Sequence, residues 1–164
     1  MVGSVLNKSF LNEIFKKYKP DIVLHAAAYK HVHLSEYSLD STLENNIIGT
    51  KNIVDLSIKN KVEKFILIST DKAVKPTNIM GASKSICELY CQNIKSNKTK
   101  IISVRFGNVL GSSGSVIPKF QKQIDNDDDI TVTHKDITRF FMLVNEACNL
   151  VYQAASIGNH GEVL

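Results

Sequence analysis

Thr70, Asp71 and Lys72 set a hydroxyl, a carboxyl and an amine side by side in one polar segment. Such a trio can donate, accept and relay protons if its pKa values are driven apart. The same residue types also make a solvated loop with an exposed ion pair, so the trio needs partners before it means chemistry. Lys84 follows in the first turns of a helix that Asn78 can cap, and the cap aims it toward the same segment. Four residues before Lys84 stands Met80, whose thioether cannot serve as a base at neutral pH.

Two other segments carry small or polar residues of similar promise. "HAAA" (25–28) lets backbone approach a flat or charged ligand closely, while His25 itself suits a satisfied core position equally well. His31 and His33 sit in a polar stretch with no third ligand for a metal. "RFGNVLG" (105–111) offers the Asn108 amide, which fits a phosphate or base contact and fits a turn just as well.

Each segment closes an apolar run that reads as a strand: "DIVLHAAA", "KFILIS" (64–69) and "KIISVRF" (100–106). The middle run is continuous, as expected of a strand covered on both faces. Helical spacing separates the runs, from Ser41 to about Lys59 and from about Asn78 to Asn97. Ser9 reads as the cap of an opening helix with Phe10, Leu11, Ile14, Phe15 and Tyr18 on one face. Strands alternating with helices predict right-handed βαβ units and a parallel sheet, whose ligands bind at the carboxyl ends of the strands. Further on, a helix through "VIPKFQKQI", an acidic turn "DNDDD" (125–129), a short strand "ITVT" (130–133) and a helix through "NEACNLVYQAAS" are predicted.

Composition narrows the classes. The 164 residues suit one domain, with an ordinary 43% hydrophobic and 22% charged. A net charge of +4 from scattered lysines, without a basic stripe interleaved with aromatics, argues against nucleic acid as a partner. No run is long and apolar enough for a membrane span, and "MVGSVLNKSF" lacks a signal-peptide layout, so a cytoplasmic location is expected. "CELYC" spaces Cys87 and Cys91 by four on one helix face without further ligands, and "DNDDD" lacks the glycine and terminal glutamate of a calcium loop. No metal site is predicted, and the cysteines are expected to be free thiols.

"HAAAYKHV", "ENNIIGTKNI", "ISTDKAVKPTNIMGASK", "VRFGNVLGSSGSVIPKF" and "ITRFFMLVNEA" occur in this order. Together they resemble the extended short-chain dehydrogenase/reductase family. Within it they resemble the nucleotide-sugar 4,6-dehydratases and related epimerases of bacterial capsule, O-antigen and flagellin-glycan biosynthesis. The resemblance covers nearly the whole chain. It implies a partial Rossmann-like doubly wound parallel sheet, in the α/β class. Residues 1–110 would form an incomplete NAD(P)-binding domain, and 111–164 part of a substrate-binding region that returns to the sheet. It further implies NAD or NADP as cofactor, a UDP-N-acetylhexosamine (foremost UDP-N-acetylglucosamine) as substrate, and a homo-oligomer. Relatives of this kind include membrane-anchored forms.

The same resemblance assigns roles. Asp71 would protonate the departing C6 hydroxyl, Lys72 would remove the C5 proton, and Thr70 would bond the C4 oxygen. Lys84 would hold the nicotinamide ribose. Ala26, Ala27 and Ala28 would line the cofactor with His25, Ser69, Arg105 and Phe106, and Asn46 would support the site. Lys30, His31, Asn108, Val109, Pro118 and Phe120 would meet the substrate. Met80 stands where the broad family carries its tyrosine, as in the long, membrane-associated branch of these dehydratases, and is expected to shape the sugar pocket. A glycine-rich fingerprint is missing, since only Gly3 precedes position 49. The chain is therefore expected to be an internal portion without the first βα units, to expose an unpaired edge at the "DIVLH" strand, and to bind NAD weakly by itself. A 4- or 5-epimerase and a non-catalytic remnant or interaction module remain open alternatives.

Overall fold

The computed structural model describes residues 1–112, 114–132 and 134–164. Helix α1 (Lys8–Tyr18) leads into strand β1 (Ile22–His25). Helices α2 (Val32–Tyr37) and α3 (Leu39–Leu43) follow, and a π-helical turn, Glu44–Ile48, passes into α4 (Gly49–Lys59). Strand β2 (Lys64–Thr70) ends in a short 3-10 turn at Asp71–Ala73, before α5 (Ile79–Asn93) and β3 (Lys100–Phe106). The remaining elements are β4 (Asn108–Val109), α6 (Val116–Asp125), β5 (Phe141–Met142) and α7 (Val144–Ile157).

The main sheet has the order β1-β2-β3 and is parallel, as the alternation of strands and helices requires. Its register aligns Ile22 with Lys64 and Lys64 with Lys100, so the strands start level. The period of two then divides the side chains between two faces. Phe65, Leu67 and Ile101 join Leu11, Phe15, Ile53 and Val54 under α1, α4 and α5. Ile66, Ile102 and Val104 meet Val151 and Ala154 of α7 on the other face. The free edge of β3 is taken up by the last residues: Ser103 N donates to Glu162 O at 2.9 Å and Arg105 N to Leu164 O at 2.8 Å. The outer edge of β1 has no strand partner among the described residues, and its Ile22 and Leu24 remain 48% and 55% exposed.

Local chemistry shifted several boundaries. Asn7, not Ser9, caps α1: its Oδ1 accepts from Phe10 N at 3.1 Å, and the Ser9 hydroxyl donates to that same oxygen. The expected helix from Ser41 starts at Leu39 and is interrupted by the π turn. The helix from Asn78 stops at Asn93, and Asn78 is its cap, accepting from Gly81 N at 2.8 Å. His31 and His33, expected in a loop, begin a helix: His31 stands at the N-cap of α2 and His33 lies within it. The "ITVT" strand does not form at 130–132, and Thr133 lies outside the described residues. The short parallel pairing occurs instead between β4, inside the segment expected to be a loop, and β5.

Candidate active site

The strand ends meet at one place because the register pairs Thr70 with Phe106 directly. They open on a cleft of about 630 Å³ lined by Thr70, Lys72, Met80 and Lys84 on one side and by Asn108 and Lys119 on the other. Thr70 is extended and caps the 3-10 turn, accepting from Lys72 N at 3.4 Å and donating to Asp71 Oδ1 at 2.9 Å. Lys72 Nζ donates to Asp71 Oδ1 at 2.9 Å and to Asn108 Oδ1 at 3.3 Å, which ties the turn after β2 to the residues after β3. Asn108 is fixed in turn by its Nδ2 donating to Phe140 O at 3.2 Å. Gly81 lies against the Lys72 carbonyl, so that a side chain there would strike the backbone of the turn.

Charge within this group is uneven. Burial pushes the Asp71 carboxyl up, but hydrogen bonds from Lys72 and Thr70 and the Lys72 charge outweigh it, leaving it below the ordinary carboxylate range. Lys84 is almost wholly buried and donates to Ile68 O at 2.5 Å. Burial lowers its pKa, against the opposing pull of Cys87, Cys91 and Glu88. Met80 is buried beside the cleft, an apolar wall where no proton transfer is possible.

The structure gathers most of the sequence-nominated residues at this cleft. Ala26, Ala28, Lys30, His31, Ser69, Phe106, Asn108 and Val109 line it with Thr70, Lys72, Met80 and Lys84. Asp71 instead faces an adjoining cavity of about 430 Å³ that also involves Lys72, Asn78, Arg139 and Phe140. Ala27, Pro118 and Phe120 do not line the cleft; the α6 residues that do are Val116 and Lys119, on either side of Pro118 in the sequence. His25, Asn46 and Arg105 do not open on it either and hold it from behind.

His25 is buried, shares a 2.9 Å hydrogen bond with Thr50 Oγ1, and is pushed down to about 4 by burial and then by Lys84. Asn46, fully buried on the π turn, accepts from Tyr29 N at 2.7 Å and donates to Tyr29 O at 3.1 Å and Ser83 Oγ at 2.9 Å. It thereby clamps the loop after β1 to α5. Tyr29, Val32, Ser112 and Ser115 line the cleft without having been nominated. For Ser115, position before an apolar helical stretch was the available signal.

Residues of the Ala26–Ala28 segment, whose side chains are small, share the cleft with a buried lysine. This donor set fits a nucleotide cofactor's ribose, which needs close backbone approach and an amine donor.

The chain matches the polysaccharide biosynthesis protein family across residues 1–164 and belongs to it. It is 48% identical over 165 residues to "Capsular polysaccharide biosynthesis protein CapD" of Staphylococcus aureus, covering 99% of this chain and 28% of that protein. It is 38% identical to a UDP-glucose 4-epimerase of Rickettsia canadensis, covering 99% of the chain and 48% of the relative. Among solved structures, Pen from Bacillus thuringiensis superposes with a TM-score of 0.94 at 38% identity, covering 99% of this chain and 51% of Pen. DesIV, a dTDP-glucose 4,6-dehydratase from Streptomyces venezuelae solved with NAD bound, superposes at a TM-score of 0.90 and 18% identity, covering 98% of this chain and 55% of DesIV. At that identity the likeness shows the shared α/β fold. The chain thus spans about a quarter to a half of the length of the proteins it matches.

Proposed function

We propose that this chain carries the proton-transfer machinery of a nucleotide-sugar 4,6-dehydratase, with UDP-N-acetylglucosamine as substrate and NAD or NADP as cofactor. The observation that carries the reading is the Asp71–Lys72 pair at 2.9 Å, braced by Thr70 and Asn108, with Lys72 lining both the cleft and the adjoining cavity that Asp71 faces. An epimerase must move hydride at one carbon; a dehydratase needs in addition an acid and a base at neighbouring carbons. Asp71 and Lys72 are adjacent groups of that kind.

The bound cofactor supplies hydride acceptance at the sugar C4 and hydride return at C6. The chain's residues do the rest. At rest the pair is a carboxylate and an ammonium, which hydrogen bonding stabilises. Substrate closing over the cleft removes water and weakens that charge separation. Moving one proton from Lys72 to Asp71 gives a neutral acid beside a neutral amine with no change in proton count. The amine then takes the C5 proton, which the C4 ketone has acidified. The carboxylic acid gives its proton to the departing C6 hydroxyl, which leaves as water. Both residues are then back as the ion pair. As hydride returns at C6, Lys72 gives its proton to C5 and takes one from solvent. That equals the proton that the C4 hydroxyl lost to solvent when C4 was oxidised, so one turnover restores the starting state. Thr70 donates to the C4 oxygen, Lys84 holds the nicotinamide ribose, and Ala26 and Ala28 admit the cofactor. Met80 shapes the sugar pocket, Asn108 meets the diphosphate, and Lys30, His31 and Val109 complete the substrate wall.

In this reading residues 1–110 belong to the cofactor-binding part and 111–164 to the substrate-binding part. The working protein is cytoplasmic at this site and homo-oligomeric. Among the described residues no helix is long and apolar enough to cross a membrane.

The test grafts this chain in place of the matching 165 residues of the Staphylococcus aureus relative and supplies UDP-N-acetylglucosamine. The expected product has lost the elements of water and carries a C4 ketone without a C6 hydroxyl. A product that keeps the C6 hydroxyl and inverts C4 would replace the dehydratase with the epimerase.

A further inference from the structure

Behind the cleft, and outside the proton-transfer steps, sits a buried carboxylate. Glu88 lies on α5 one turn beyond Lys84 and is 2% exposed. Its partners come from two different strands. Ser69 Oγ donates to Glu88 Oε1 at 2.5 Å. Arg105 grips both oxygens, with Nε to Oε1 at 2.9 Å and Nη2 to Oε2 at 2.5 Å. Ser69 immediately precedes Thr70 on β2, and Arg105 is three residues before Asn108, the partner of Lys72.

An isolated buried carboxylate would be costly, and this one is retained with three donors satisfied in a two-pronged geometry. The arrangement joins one helix to the ends of both strands whose following loops form the site. Surface-type helix–sheet packing would need only apolar contact, which Cys87 and Cys91 on the same helix already provide.

We propose that Glu88 is the positioning residue of this site: it fastens the ends of β2 and β3 to the helix carrying Lys84, and so sets where Lys84 stands against the Thr70–Lys72 turn. What the site does with that geometry rests on the dehydratase reading; the fastening is a property of this chain alone. Glu88 also acts on Lys84 through charge, helping to keep the buried ammonium protonated. The other titratable groups acting on or beside Lys84 are Cys87 and Cys91 from its own helix, His25 from β1, and Lys72, which lines the same cleft from the turn packed on α5. Glu36 of α2 is engaged with Ile79 N at the start of α5.

The chain itself is the test object, with acetylation of Lys84 by an N-hydroxysuccinimide ester followed by peptide mass spectrometry across pH. Glu88→Gln removes the anion and leaves the Arg105 cation, so the Lys84 rate at a fixed pH below its midpoint rises at least about threefold. Arg105→Gln leaves the anion without its partner, so the rate falls. Glu88→Asp, which keeps the charge, returns the rate toward wild type. Loosened packing alone would raise the rate in both glutamine variants, and that outcome, or an unchanged rate in either, overturns the proposal. Should Glu88→Gln fail to fold by circular dichroism, the Arg105→Gln result decides by its sign. The dehydratase reading is tested separately by the product of the grafted enzyme: a product that keeps the C6 hydroxyl ends that reading, while the opposite signs of the two variants are expected whichever product forms.

Discussion

The two walls of the cleft are held in different ways. On the sheet side, Phe65, Ile66, Leu67, Ile101 and Ile102 are completely buried, and each functional loop is tied to its neighbours through named hydrogen bonds. On the other side, α6 has no buried residue, and Ile124, Phe140 and Leu143 are 56%, 89% and 56% exposed. Yet the second wall reaches the site, through Lys119 and through Phe140 O, which accepts from Asn108. Placement of chemistry therefore depends on the first wall, while the second contributes contact groups from elements that add little to folding. The contrast predicts a steep gradient in what substitutions do.

The largest effect is expected at the turn itself. In the grafted enzyme, Lys72→Ala should cut turnover by roughly 10²–10⁴-fold, the range for loss of a general base, with little change in thermal stability, since the side chain is only partly buried. Retained turnover would move the chemistry off the sheet wall and break the comparison. Next comes Phe65→Ala, which empties a fully buried ring site and should cost about 3–5 kcal/mol in denaturant unfolding.

His25 supplies a pH test of the same wall. Its folded pKa of about 4 lies below the ordinary 6.5, so folding favours the neutral ring. That stability is fully present above pH 6.5 and is lost as pH falls toward 4, because the unfolded chain takes up the proton first. The window corresponds to about 3 kcal/mol, discounted by whatever solvent reaches the ring. Unfolding curves at several pH values should show this slope in the wild type and a shallower one in His25→Gln. Equal slopes would mean that His25 is not held neutral behind the cleft.

How much of this could be read from the residues differs between the walls for the same physical reason. Strand β3 fell on the residues predicted, and the parallel order followed from alternation, because continuous apolar runs and βαβ connection leave few other arrangements. The Thr70–Lys72 turn and Lys84 were legible from residue type and spacing. The π turn was not, since the periodicity around Asn46 continues a helix and only tertiary clamping of Tyr29 distinguishes it. Helix α2 was missed because its six residues are too few to show a period. On the second wall "ITVT" has strand propensity but found no partner at 130–132, whereas Asn108 and Val109 paired with Phe141 and Met142. Propensity marks a segment that can be a strand; a neighbouring edge decides whether it becomes one.

Gly81→Ala tests a contact between helix and turn rather than burial. The added methyl meets the Lys72 carbonyl, so either the turn or the start of α5 must move, at a cost of about 1–3 kcal/mol. The expected signature is a loss of turnover larger than the loss of stability explains, since the displaced residue is Lys72. A variant that loses stability but keeps the wild-type turnover per folded molecule would show that the turn tolerates displacement.

The smallest effect is expected on the second wall, where Ile124→Gln replaces an exposed apolar side chain of α6. Within this chain the change removes almost no buried contact, and surface substitutions of this kind fall within about 0.5 kcal/mol of neutral. The measurement is urea unfolding of both proteins under identical conditions. A loss of several times that amount would mean that α6 is covered in solution, for instance by a second copy, and the effect would then grow with protein concentration. A neutral result at all concentrations leaves the two walls as different as their burial makes them: one that folding depends on, and one that only binding would notice.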